Sequence, residues 1–255
     1  MFNIFKPKEN KQNTKAETLA NKLEIAKQKL ISDLEKNDME FLISKMASDE
    51  EYSELILERR KIDLSYSTED CVSCYAYRQS DKLNSAENKS ELLELLADEK
   101  HSADKKYIFC CLSSICSNTN DKELFNFLIA KMQIEEDEHT KVSILSRLED
   151  VIKDDSYNIE PIKIIVKEGT SDESHAAIKA LSNSNDPKVE DILLDEFKNT
   201  STHMKGMICG PLSTVGTLKS IPILNEAYKK TRDQGLRMLI EKAIAKIELR
   251  YQSCH

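Results

Sequence analysis

The stretch "STVGTLKSIPIL", residues 213–224, sets a single glycine between two apolar runs, the second opening on "IPIL". Two structures compete for it. A phosphate-cradling loop wants several glycines at the end of a strand, just ahead of a helix N-terminus. Here Gly216 stands alone and no Gly-Lys-Ser/Thr follows it. Gly216 therefore reads as a helix stop, and the stretch as the junction of two helices.

Extended outward, the junction belongs to a repeat. "HMKGMICGPLSTVGTLKSIPILNEAYKK" (203–230) lies beside "HTKVSILSRLEDVIKDDSYNIEPIKIIVKE" (139–168), each an apolar helix, a polar break and a second amphipathic helix. Leu112, Leu148, Leu181, Leu212 and Ile244 recur as anchors at spacings of 36, 33, 31 and 32 residues. One helical step later come Ile115, Val151, Ser184, Val215 and Ile247, four of the five apolar. The breaks carry stop and start signals, Gly216 and Asn185-Asp186-Pro187. The helices that follow are expected to begin near Asp121, Tyr157, Pro187 and Lys219. Their apolar faces are Leu124/Phe127/Leu128, Ile162/Ile165/Val166, Ile192/Leu193/Phe197 and Ile223/Leu224/Ala227.

Five such units predict an all-α fold, an α-solenoid of helical hairpins. "MICGPLSTVGTLKSIPIL" resembles the HEAT-like repeat also found in phycobilin lyase subunits, where an alanine-rich helix ends in "L..IG" before "..A.P.L". Lys141, Lys205 and Arg237 fall where that family carries its valine-arginine pair. The resemblance covers about residues 88–250 and implies a right-handed solenoid. It is nearly silent on function, because the scaffold serves unrelated roles. Two departures stand out: Pro211 lies inside a helix, and Ser184 replaces an apolar anchor.

The expected organisation is a loose tail over 1–14, an N-terminal helical cap over 15–87 and a repeat array over 88–252. The cap rests on Leu19, Leu23, Ala26, Leu30 and Leu34, then Phe41, Leu42 and Met46, then Leu55 and Leu57. Residues 90–100 read as one more outer helix, with 68–82 as its inner partner.

Composition agrees. The 255 residues hold only 5 Gly and 5 Pro, with 32% charged side chains, which suits long solvated helices. Net charge is −8, and 30 of the 37 basic residues are Lys. Both features lean away from nucleic acid, which favours a basic face and forked Arg contacts. No apolar run reaches a membrane span, and "MFNIFKPKEN" has no apolar signal core. The seven cysteines lie mostly in apolar stretches rather than in a disulfide frame. The expected compartment is the cytoplasm.

Candidate sites are few. Cys71 and Cys74 in "CVSC" share a helix face and read as core filling, with zinc (His101 or Cys110 approaching) or a redox pair as alternatives. His139, His175 and His203 fall at related repeat positions and read as solvent-facing. The acidic turns are more distinctive: "ADEK", "EEDE" and "DE" fall between paired helices. Stacked along one edge, they form a rim of Asp98, Glu99, Glu135, Glu136, Asp137, Glu138, Asp172 and Glu173. Helix capping explains single acids there, but four in a row exceed what a cap needs. The helices carrying Lys105, Lys141, Lys205 and Arg237 are expected to build the concave face.

These features predict a non-enzymatic protein-binding module without cofactor or metal, an adaptor or an inhibitor of the immunity type. Its expected partner is a protein of basic or mixed charge. The rival readings are a HEAT-like DNA glycosylase, which the missing Trp, few Arg and negative charge disfavour, and a chromophore-lyase-like enzyme, which needs pigment chemistry that the sequence does not show.

Overall fold

The computed structural model describes residues 10–36, 38–47 and 72–252, and every regular element among them is helical. Among the described residues the first four α-helices are α1 (Asn10–Leu34), α2 (Met39–Ala47), α3 (Val72–Ser80) and α4 (Ala86–Ala97). A 3-10 segment, Glu99–Asp104, leads into α5 (Lys105–Thr119), which is followed by α6 (Lys122–Ile134) and α7 (Glu138–Leu145). After a second 3-10 turn, Leu148–Asp150, come α8 (Glu160–Glu168), α9 (Ser171–Ala180) and α10 (Pro187–Asn199). The chain closes with α11 (Thr202–Val215), α12 (Ser220–Lys230) and α13 (Gln234–Gln252). No described helix is long and apolar enough to cross a membrane.

Local chemistry places the boundaries. Ser85, Asp121, Asp137, Thr170, Asp186 and Ser201 each accept a first-turn backbone N–H through a side-chain oxygen. Thr170 and Glu173 complete a reciprocal capping box. Pro187 opens α10, where its missing N–H costs nothing. Helix α11 runs on through Pro211. Gly216 does end α11, but its φ of −62° is one any residue adopts. Space selects the glycine: a Cβ there would lie 2.4 Å from the Leu212 carbonyl oxygen and 3.0 Å from Ile247 Cδ1.

The helices pack in two rows. In one, α5 packs on α7, α7 on α9, α9 on α11 and α11 on α13. In the other, α6 packs on α8 and α10 on α12, while α8–α9, α10–α11 and α12–α13 join the rows. All five sequence anchors fall along the first row. Leu112, Leu148, Leu181 and Leu212 are fully buried, and Ile244 on α13 is half-buried. The second and third anchors fall outside α-helices: α7 stops at Leu145, so Leu148 sits in the 3-10 turn, and α9 stops at Ala180, so Leu181 is its C-cap. Starts expected near Asp121, Pro187 and Lys219 agree with the structure to within a residue. The start expected near Tyr157 comes three residues later, because Tyr157 is used as a wedge. Its ring meets Phe125 edge-on at 5.0 Å, and its hydroxyl donates to Asn120 O at 3.2 Å.

A recurring device ties unit to unit. Side-chain donors at or just past the end of one helix or turn bond carbonyls at or just past the end of another. Asn118 Nδ2 donates to Asp81 O and Leu83 O, both at 2.8 Å, and Asn183 Nδ2 to Glu149 O at 3.0 Å. Lys153 Nζ donates to Val151 O at 2.6 Å and Ser182 O at 2.7 Å. Arg250 donates to Ser213 O and Gly216 O. These carbonyls are the helix-end acceptors left without intrahelical partners. Asn120 and Asn183 also turn the chain, at φ 52° and 56°, a region that asparagine tolerates better than most residues. The Lys153–Ser184 bridge places the Ser184 departure beside this seam.

At the N-terminal end, α2 packs on α3, α4 and α5, and Met39 N donates to Glu91 Oε1 at 3.1 Å. Helix α3 leans on α2, α1 and α5 rather than pairing chiefly with α4. Helix α1 starts within the segment expected to be tail. Leu55, Leu57 and Cys71 lie outside the described residues.

Candidate partner-binding surface

The turns that join the rows form one edge. Asp137 lies close enough to Lys106 at the start of α5 to be stabilised by its charge. Thr170 Oγ1, ahead of α9, donates to Glu138 Oε1 at the start of α7. The His175 and His203 rings, on α9 and α11, meet at 6.0 Å. The edge therefore runs from α5 to α11, and the structure sets the Glu135–Glu138 turn beside the turn ahead of α9.

Within that rim the acids divide. Asp98 accepts from Lys100 N at 3.0 Å, and this backbone bond holds its carboxyl below the usual range. Glu135 Oε1 accepts Glu136 N and Asp137 N. Asp137 accepts both Thr140 N and Thr140 Oγ1 at 2.7 Å, which likewise lowers its pKa. Glu173 is buried, lowered first by the Thr170 N–H and then by Lys141 at 3.0 Å. Three of the four consecutive acids thus serve a structural role: Glu135 a loop wrap, Asp137 a cap and Glu138 a bond to Thr170. Asp98 and Asp137 are exposed despite these duties, while Glu99, Glu136 and Asp172 are exposed and bond no described side chain.

The basic candidates also divide. Lys141 is consumed by Glu173. Lys105 is exposed at the start of α5. Lys205 Nζ lies 5.9 Å from the Phe197 ring centroid, and Arg237 lies 5.3 Å over Tyr228 with Nε donating to Thr231 O at 3.0 Å. Lys205 and Arg237 frame the same end of the edge.

On the open face of the first row, a groove of about 480 Å³ lies between α9, α11 and α13. Gly210 uncovers the α11 backbone, Gly206 lets Leu239 of α13 approach it closely, and Met207 and His203 also line the groove. A side chain at 210 would meet nothing within 4 Å beyond its chain neighbours. The sequence reading missed this groove, since Gly206 and Gly210 acquire meaning only once α9 and α13 flank them. It also missed a cleft at the α10–α13 end, lined by Lys198, Lys205 and Lys230.

The remaining candidates resolve individually. Cys110, Cys111, Cys116 and Cys209 are buried and Cys74 half-buried. Desolvation pushes the thiols up, Cys110 to about 11 and Cys116 and Cys209 to about 12, so they stay protonated and unreactive near neutral pH. His101 is engaged locally, with Nδ1 3.3 Å from Asp104 Oδ2 and Nε2 3.7 Å from Glu40 Oε1. Among the described residues no group of three or more His, Cys, Asp or Glu is placed to hold a metal ion. His139 and His203 are exposed and His175 half-buried. No protein-family model matches the chain, and no curated protein or solved structure matches it significantly.

Proposed function

We propose that the chain is a non-enzymatic protein-binding array, a right-handed solenoid of HEAT-like hairpins acting as an adaptor or an inhibitor of the immunity type. The observation that carries this reading is the groove between α9, α11 and α13, where the α11 backbone lies open at Gly210 and Leu239 packs close against Gly206. The carbonyl clamps between units support it, because they make a stiff platform that pays little ordering entropy on binding. The exposed acids Glu99, Glu136 and Asp172 supply charge for a basic or mixed partner. A reducing compartment suits the free buried thiols.

The test is affinity capture from the cells that make the protein, with two variants. His203→Glu together with Met207→Glu charges the groove; Glu99→Gln, Glu136→Gln and Asp172→Asn neutralise only rim acids without structural duties. A partner held by the wild type and lost from the groove variant, at equal helicity, supports the reading. The same proteins captured by all three refute it.

A further inference from the structure

The edge that is acidic from α4 to α9 changes sign at its far end. The α10–α11 stretch 197–206 contains Lys198 and Lys205 and no acid, and the α12–α13 turn carries Lys229, Lys230, Arg232 and Arg237 against Asp233. Here two neighbouring units part to leave an open cleft of about 480 Å³. Its floor is apolar, built from Phe197, Ala227 and Leu236, and Lys198, Lys205 and Lys230 stand around it. Glu226 also lines the cleft; it is tied to Lys230, and its carboxyl is lowered by Lys230 first and by the nearby charge of Lys198. Lys205 forms no ion pair with any described residue, and its ammonium lies over the Phe197 ring. In a chain of net charge −8 this is a local cationic rim around a hydrophobic floor.

We propose that this cleft docks an acidic peptide segment of the partner, with one large apolar side chain on the Phe197–Leu236 floor and flanking carboxylates on Lys198 and Lys205. The proposal rests on the protein-binding reading above and assigns the partner a second point of contact. Charge complementarity selects the occupant: carboxylates relieve the unpaired Lys205, and the floor rewards apolar burial at about 25 cal/mol per Å². An extended segment fits better than a small ligand, since the cleft is open and no buried polar group lines its floor. The bipolar edge also fixes orientation, because a partner docked backwards would set like charges together.

The test uses a fluorescein-labelled peptide of glutamates around one phenylalanine, followed by anisotropy at low salt. Wild type is expected to bind, and Lys205→Gln or the exposed pair Lys198→Gln/Lys230→Gln to weaken binding about fivefold or more. Lys167→Gln, on α8, should leave binding unchanged, and replacing the phenylalanine by serine should abolish it. Absence of binding, or equal loss in Lys167→Gln, overturns the proposal. So does concentration-dependent self-association that disappears in Lys205→Gln, which would put a second copy in the cleft. If the peptide fails while the groove variant still loses its captured partner, this proposal falls and the protein-binding reading stands. If both fail, both fall.

Discussion

Lys153 offers the sharpest physical test of the fold. Its side chain is fully buried, its ammonium donates to Val151 O and Ser182 O, and desolvation pulls its pKa from 10.5 to about 7. The carboxylates of Asp150 and Glu149 oppose that shift but do not overcome it. Because the folded pKa lies below the unfolded one, the unfolded chain holds more protons between the two values. Stability should therefore rise with pH across that window. From pH 7 to 8.5 the linkage relation gives a gain of about 1–2 kcal/mol from Lys153 alone. The buried thiols act in the opposite sense, since their folded pKa values are raised and unfolded thiols ionise first as pH climbs. A difference measurement cancels them. Urea unfolding of wild type and Lys153→Met at pH 7, 7.5, 8 and 8.5 should show the wild type gaining on the variant by about 1–2 kcal/mol over that range. The two carbonyls left without a donor offset the curves but do not tilt them. Parallel curves would refute the burial argument.

Three further outcomes follow from the packing. Gly216→Ala should lower stability by about 1–3 kcal/mol, because its Cβ is driven against the Leu212 carbonyl and Ile247; an unchanged Tm would contradict the close approach. Glu190→Ala should cost about 2–3 kcal/mol, since its buried carboxylate accepts from Thr217 N, Thr217 Oγ1 and Ser220 Oγ at the start of α12. Exposed Glu99→Ala should stay within about 0.5 kcal/mol, and equal thermal shifts for the two would refute the assignment. Arg250→Ala should speed amide exchange around Ser213–Gly216 while leaving α5–α7 unaffected, read by hydrogen-exchange mass spectrometry.

The helical class and most boundaries are local properties, and so they are legible in the sequence. Asp121, Asp186-Pro187 and Gly216 announce helix ends through capping and sterics, and the i, i+3 anchors mark the buried row. Legibility fails where a residue's role belongs to another unit. Glu173 reads as rim charge until Lys141, from α7, is laid beside it. Tyr157 reads as a helix start until Asn120 claims its hydroxyl. Lys153 looks like any surface lysine because nothing nearby in sequence reveals Ser182 O. The cleft was hidden for the same reason: Lys198, Lys205 and Lys230 come from three helices and acquire a common floor only when α10 to α13 stack.

The central claim is that the open face of the first row holds a protein. A photo-crosslinking amino acid placed at Met207, in the groove, and separately at Ile164, exposed on α8, tests it in the cells that make the protein. The account predicts one discrete crosslinked product from position 207 and none from 164. Crosslinks from 164 with none from 207, or none from either, would contradict it.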